Sequence, residues 1–339
     1  MSVGTTHAGA TASNDTRTLW VIIVSYNAAQ LLDRCLRCVL ASQLDRRLIV
    51  YVVDNASTDD SMTVARTYGS DPRLRIRPLD TNLGFARANN VALREILAEG
   101  SHQHDLVLLL NNDCFVEPET LQGLALFLDK HPDAGIVGPK LILPTGALDL
   151  ACRRAFPTPA NALWKFLGLA RWFPHHPRFG QYNLTYTDPN QTLEVDAVSG
   201  ACMAIRLAAI ADVGLLDEAF FMYGEDLDWA YRVKQAGWRI FYYPAVQALH
   251  LKGGSGGRRT PQSVRAFYQA MALFYRKHYA ARSPAWLNAL VMLGITLFGS
   301  IAYARALLHS GSLTSSSLPT PQQPAHELSR PLSSRHSVK

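Results

Sequence analysis

Short runs rich in Val, Ile and Leu alternate with stretches whose apolar residues recur every three or four positions, and this alternation constrains the chain more than any other feature. The runs are LWVIIVSY (19–26), LIVYVVDN (48–55), LRIRPL (74–79), DLVLLLNND (105–113) and GIVGPKLIL (135–143). Between them lie AAQLLDRCLRCVLASQ, STDDSMTVARTYG, GFARANNVALREILAEG and PETLQGLALFLDK, each with the spacing of an amphipathic helix. Strand then helix, four times over, predicts an α/β fold with a mostly parallel sheet covered on both faces and right-handed crossovers. The 48% hydrophobic content of the 339 residues supplies a core for it.

Ligands of such sheets bind beyond the carboxyl ends of the strands. Ser25, Tyr26 and Asn27 end the first strand, Asp54 and Asn55 the second, and Asn111, Asn112 and Asp113 the fourth; Asn82 and Gly84 follow the third. Together they predict a cleft of carboxylates, amides and small residues. Taken singly, each also suits a turn or a helix cap.

Beyond residue 145 the pattern is mixed: VSGACMAIR (198–206), a turn LLDEAFFMYGED, a helix from Glu225 to Ala236, and a short strand WRIFYY (238–243). HLKGGSGGRR (250–259) then predicts a mobile loop flanked by cations, either a lid over an anionic ligand or a plain connection. The net charge of +6 suits an anionic ligand or a membrane surface and falls short of a nucleic-acid signature. Five cysteines, odd in number and mostly in apolar stretches, point to reduced thiols in a cytosolic compartment; Cys35 and Cys38, inside a helix with no second pair, read as packing. Residues 1–18 carry no apolar run behind a basic start, so a loose tail is expected there and no signal peptide.

The 22 uncharged residues between Arg282 and Arg305 are long enough to span a bilayer core. Asn288, Thr296 and Ser300 mark a polar stripe that also allows the segment to lie in the interface or against a partner. Arg265, Arg276, Lys277 and Arg282 precede it, and this bias keeps the preceding domain in the cytoplasm. A second aromatic and cationic patch, NALWKFLGLARWF (161–173), reads either as a membrane or acceptor contact or as an amphipathic helix covering the sheet. The expected organisation is a tail (1–18), a catalytic domain (19–255), a basic helical segment (256–283), a hydrophobic membrane-associated helix (284–308) and a disordered tail (309–339).

Asp113, at the mouth of a buried strand, is a candidate ligand for Mg²⁺ or Mn²⁺, which would stabilise the charge of a departing diphosphate. In GEDLDWAYR (224–232) three carboxylates fall in the first turn of a helix. Asp228 pairs with Arg232 four residues on; Glu225 and Asp226 are left over, and Asp226 is the candidate general base. His250 could serve the metal or a phosphate, or be structural.

Taken together, VIIVSYN, VVDNASTDDS, NLGFARANN, LLLNNDCFVEP, VSGACMAIR, FFMYGEDLDWAYR and His250 resemble the family 2 glycosyltransferases with the GT-A fold, especially their rhamnosyltransferase-like bacterial branch, over residues 19 to 255. The resemblance implies that Ser25, Tyr26, Asn27 and Asp54 hold the nucleoside of a nucleotide-sugar, with Asn82 and Arg87 near its ribose or diphosphate. It puts Asn111, Asn112 and Asp113 in the place of the aspartate-x-aspartate motif, with His250 completing the coordination of a divalent cation. Asn111 replaces the common acidic residue, which removes a negative charge from the metal site. Glu225 and Asp226 match the family's acidic pair. The implied reaction is inverting sugar transfer, with dTDP-L-rhamnose as donor, a lipid-linked saccharide of cell-envelope polysaccharide as acceptor, and a location on the cytoplasmic side of a bacterial inner membrane. The rivals are a sugar nucleotidyltransferase and an inactive nucleotide-sugar-binding membrane protein. The first lacks a Gly-rich basic loop after the first strand; a dinucleotide-dependent oxidoreductase is a weaker rival still, since SYNAAQ (25–30) carries no glycine fingerprint.

Overall fold

The computed structural model describes residues 17–99, 104–253 and 260–311. The strand and helix alternation is realised as β1 (Thr18–Ser25), α1 (Ala29–Leu40), β2 (Arg47–Asp54), α2 (Ser61–Thr67), β3 (Leu74–Pro78), α3 (Gly84–Ala98) and β4 (Leu106–Asn111). These strands pair in parallel in the order β3-β2-β1-β4. Val21, Ile22, Ile23, Val50, Val52, Val53, Leu108 and Leu109 are fully buried, as strands covered on both faces require. On α1 the buried residues Leu32, Cys35, Leu36 and Val39 follow helical spacing, so Cys35 is core packing. The register sets Ser25 beside Asp54 and Val24 beside Asn111, which brings the polar strand ends to one edge.

The second half turns the sheet mixed. Its elements are β5 (Cys114–Val116), α4 (Thr120–Lys130), β6 (Ala134–Ile142), α5 (Pro159–Phe166), α6 (Leu169–Trp172), β7 (Leu193–Glu194), β8 (Cys202–Arg206), α7 (Leu207–Val213), α8 (Glu225–Gln235) and β9 (Arg239–His250). β8 lies antiparallel between β4 and β6, and β9 runs parallel to β6 and antiparallel to β5 and β7.

Four local readings change. The expected strand over 105–113 divides into β4 and β5 at Asn112 and Asp113. Of 198–206 only the last five residues are strand. The expected short strand at 238–243 continues twelve residues to His250, because Pro244 falls where the β6 register shifts from Tyr243 to Gln247 and costs no ladder bond. The 161–173 patch is not one continuous helix: Gly168, at a φ of 76°, breaks it into α5 and α6, and Leu163, Leu167, Trp172 and Phe173 are exposed.

At the end of the chain α9 (Pro261–His278) leads into α10 (Ala285–Gly311), and the two pack together, with the Tyr275 hydroxyl donating to Asn288 Oδ1 at 2.7 Å. Residues 285–308 are long and apolar enough to cross a membrane. The expected tail boundaries shift, since β1 already begins at Thr18 and α10 runs on to Gly311. The rest of both expected tails, and most of the expected lid (254–259), lie outside the described residues.

Candidate active site

The strand ends form a first cluster. Asn112 Nδ2 donates to Ser25 Oγ at 3.3 Å, and Asp54 Oδ2 accepts from the Ser57 amide at 3.0 Å. Asp54 Oδ1 is buried with no hydrogen-bond partner, which leaves an acceptor for a ligand. Asn27 sits in the left-handed region, at a φ of 48°, and its Oδ1 accepts from the Thr58 amide at 2.7 Å, while Tyr26 next to it is exposed. Asn55 Nδ2 donates to Asn82 Oδ1 at 2.9 Å, and the same oxygen accepts from the Gly84 amide. Gly84 has a φ of 80°, and a Cβ there would overlap the Phe221 carbonyl oxygen, so this turn requires glycine. Arg87, by contrast, reaches Glu218, 3.7 Å away, an oxygen-rich side chain that Arg94 also holds.

Asp113 and His250 meet. Both are buried, and His250 Nε2 lies 3.5 Å from Asp113 Oδ1. The pairing of β5 with β9 sets Cys114 beside His250, and this joins the two segments. The other ring nitrogen, Nδ1, lies 2.8 Å from Asp149 Oδ2, and Lys252 Nζ donates to Asp149 Oδ1 at 2.6 Å. Burial disfavours the charge on His250, yet Asp113 and Asp149 outweigh it and raise its pKa to about 9. Asp149 is desolvated as well, but His250 and Lys252 hold its carboxyl well below the usual range.

Asp149 therefore orients the ring and leaves Nε2 facing Asp113; a cation held between them would displace the Nε2 proton, and the ring would then be a metal-binding imidazole steadied by a carboxylate. Among the described residues no group of three His, Cys, Asp or Glu side chains forms a metal cage. An oxygen from Asp113 and a nitrogen from His250 nevertheless fit a cation whose remaining ligands are phosphate oxygens and water.

The acidic pair lies at the start of α8. Tyr223 and Gly224 both have positive φ, and this double left-handed turn delivers Glu225 and Asp226 into the interior. Asp226 Oδ2 accepts from Arg154 Nη2 at 2.6 Å and from the Gly200 amide at 3.1 Å. Glu225 is buried, its Oε2 without a partner; burial, reinforced by the neighbouring Asp226 charge, pushes its pKa up to about 8. Asp228 plays the expected structural part: it bonds Arg232 at 2.9 Å and His278 at 2.7 Å.

The clusters share a strap at 199–201. Gly200 contacts Asp226, and Ala201 O accepts from the Asn111 amide at 2.9 Å, two residues before Asp113. A second link runs from Asn82 through Gly84 to the Phe85 amide, which donates to Phe221 O at 2.8 Å, just ahead of the acidic pair.

Two residues of this network escaped the sequence reading. Asp149 belongs to no recognisable pattern and gains its place only because β6 pairs with β9. Arg154 could have been suspected from the adjacent cations of CRRAF, since a buried guanidinium demands an anionic partner.

A family model described as "Glycosyltransferase like family 2" matches residues 17–272. The N-acetylglucosaminyl-diphospho-decaprenol L-rhamnosyltransferase of Mycobacterium tuberculosis is 30% identical over 304 residues, which is 88% of this chain and 95% of that protein. The low-salt glycan biosynthesis hexosyltransferase Agl10 of Haloferax volcanii is 26% identical over 68% of this chain and 66% of its own length. Two solved structures share the fold: Staphylococcus aureus TarS, at a TM-score of 0.51 and 18% identity over 88% of this chain and 75% of that one, and the mannosyltransferase PcManGT from Pyrobaculum calidifontis with GDP-Man and Mn²⁺, at 0.50 and 18% over 91% and 78%. The mixed sheet flanked by helices is the GT-A-type fold that the motifs implied.

Proposed function

Because the chain belongs to glycosyltransferase family 2, we propose that it transfers a sugar, L-rhamnose from dTDP-L-rhamnose, to a hydroxyl of a lipid-linked saccharide of the cell envelope. The sugar and the lipid-diphosphate-linked acceptor are those in the name of the mycobacterial relative, nearly all of whose length this chain matches; the dTDP carrier is what the motif resemblance implies. The observation that carries the reading is the linkage made by residues 199–201, whose Gly200 amide donates to Asp226 while Ala201 O accepts from Asn111, two residues before the Asp113 that meets His250.

Ser25, Tyr26, Asn27, Asp54, Asn82, Asn111 and Asn112 bind the nucleotide-sugar in this scheme. Asp54 offers its buried, unpartnered oxygen to the nucleoside. Arg87 reaches the diphosphate only by leaving Glu218. Asp113 and His250 hold a divalent cation, which when bound supplies positive charge to the leaving diphosphate. Asp226, its Oδ2 fixed by Arg154 and Gly200, removes the proton of the acceptor hydroxyl, and the resulting oxygen attacks the anomeric carbon opposite the departing diphosphate. One displacement inverts the configuration. Glu225, protonated at neutral pH, adds no second negative charge beside the base.

Residues 19–255 form the catalytic domain, and α10 attaches it to the cytoplasmic face of a bacterial inner membrane. The test is transfer of labelled sugar from a panel of nucleotide-sugars to a lipid-diphosphate-linked N-acetylglucosamine, with Mg²⁺ or Mn²⁺. Transfer from dTDP-L-rhamnose is expected; retention of every donor unchanged would contradict the proposal.

A further inference from the structure

A groove of about 730 Å³ runs between α9, α10 and the Ala219–Met222 loop. Its floor is α9, where Ala266, Ala270 and Ala272 leave room. One wall carries Phe221 and Met222, both exposed apolar side chains; the other is the face of α10 bearing Ile295, Thr296, Ser300 and Tyr303. Arg265 and Arg276 stand toward the two ends of the floor, eleven residues and hence about 16 Å apart along the helix.

Three observations select an occupant. First, the groove wall packs on the residue that precedes the acidic pair: a Cβ on Gly224 would stand 3.2 Å from the Ala270 Cβ and 3.1 Å from the Phe220 ring, and both residues line the groove. Second, neither Arg265 nor Arg276 has a carboxylate partner among the described residues, whereas their neighbour Lys277 is held by Asp217 at 2.5 Å and Asp228 at 2.8 Å. Unpaired guanidinium groups beside an apolar channel suit an anionic headgroup with a hydrocarbon tail. Third, α10 turns its Thr296 and Ser300 stripe to the groove, while Trp286, Leu290, Leu293 and Leu297 are exposed, as for a helix set in lipid.

We infer that this groove binds the polyprenyl-diphosphate part of the lipid-linked acceptor: the diphosphate against Arg265 or Arg276, the tail along α10, and the saccharide directed over the Ala219–Met222 loop that leads into the acidic pair. The inference rests on the sugar-transfer reading above and adds where the acceptor enters.

The test uses the full chain in detergent micelles and two acceptors carrying the same saccharide diphosphate, one on a long polyprenyl chain and one on a short alkyl chain. Thr296→Trp with Ser300→Trp fills the groove from an exposed face; Arg265→Glu with Arg276→Glu reverses its charge. The blocking pair should raise KM for the long-chain acceptor at least tenfold while KM for the donor and for the short-chain acceptor stays within twofold. The charge-reversed pair should raise KM for both acceptors at least tenfold and leave donor KM within twofold. Unchanged long-chain KM in both pairs would overturn the inference.

A photoreactive polyprenyl diphosphate provides a readout independent of turnover. It should label peptides of α9 and α10 in the unmodified chain and not in the blocked one; labelling confined to residues 161–173 would overturn the groove assignment. If the unmodified chain transfers sugar to neither acceptor, the sugar-transfer reading fails, and the photolabel still decides whether the groove takes the lipid.

Discussion

Replacing Glu225 by Gln isolates the electrostatic cost of the acidic pair. The carboxyl is buried, lies next to Asp226, and has its pKa pushed from an ordinary value near 4.5 to about 8. Below about pH 4.5 it is protonated in both folded and unfolded chains and costs nothing. As pH rises through that value the unfolded chain releases the proton and the folded protein keeps it, so stability falls by up to ~1.4 kcal/mol per pH unit. The fall ends near the folded pKa, where both states are ionised. The interval corresponds to roughly 4–5 kcal/mol by about pH 8.

Glutamine keeps the shape and cannot ionise. Urea unfolding of both proteins in the same detergent, followed by tryptophan fluorescence from about pH 5 to about pH 9, should give a difference that is small at the acid end. The Gln variant should gain steadily, to a few kcal/mol by about pH 8. A difference that does not change with pH would refute the reasoning. It would mean that Glu225 is ionised in the folded protein, its charge met by Arg154.

Asp226→Asn should retain the donor, measured by calorimetry, and lose about 10²–10⁴ in turnover, the range assigned to a general base; full activity would remove Asp226 from that role. Asp113→Ala should weaken donor binding in the presence of Mn²⁺ and have little effect without it, which calorimetry in the two buffers resolves. Asp149→Asn leaves Asp113 and His250 in place but loosens the His250 ring, and should cost about 10–100-fold in Mn²⁺ affinity; an unchanged affinity would make Asp149 a structural residue. Gly84→Ala should lower stability by more than about 1 kcal/mol in urea unfolding, because the new Cβ meets both a positive φ and the Phe221 carbonyl.

The parallel half of the sheet could be read from the chain because each strand is buried on both faces and so is apolar along its length, and each helix buries one stripe. The pairing of Asp228 with Arg232 was equally local, four residues on one helix. What stayed hidden was non-local or broken by a special residue. Asp149 meets His250 across 101 positions, and Arg154 meets Asp226 across 72, through a strand order that composition does not specify. Pro244 concealed the second half of β9, since only the three-dimensional register shows that its missing amide is not needed. Gly168 divided a patch that reads as one amphipathic helix, and thereby exposed Trp172 and Phe173. The polar stripe of α10 was visible in sequence, but not that Thr296 and Ser300 line a groove shared with α9 and the Ala219–Met222 loop.

The central claim is that a single site, with Asp113 and His250 on one flank and Asp226 on the other, carries out one displacement at an anomeric carbon. Its most direct test is the anomeric configuration, by NMR, of the disaccharide formed from dTDP-L-rhamnose and lipid-diphosphate N-acetylglucosamine. The expected product has the configuration opposite to the donor and is absent from the Asp226→Asn variant. A product of retained configuration, or one formed undiminished by that variant, would contradict it.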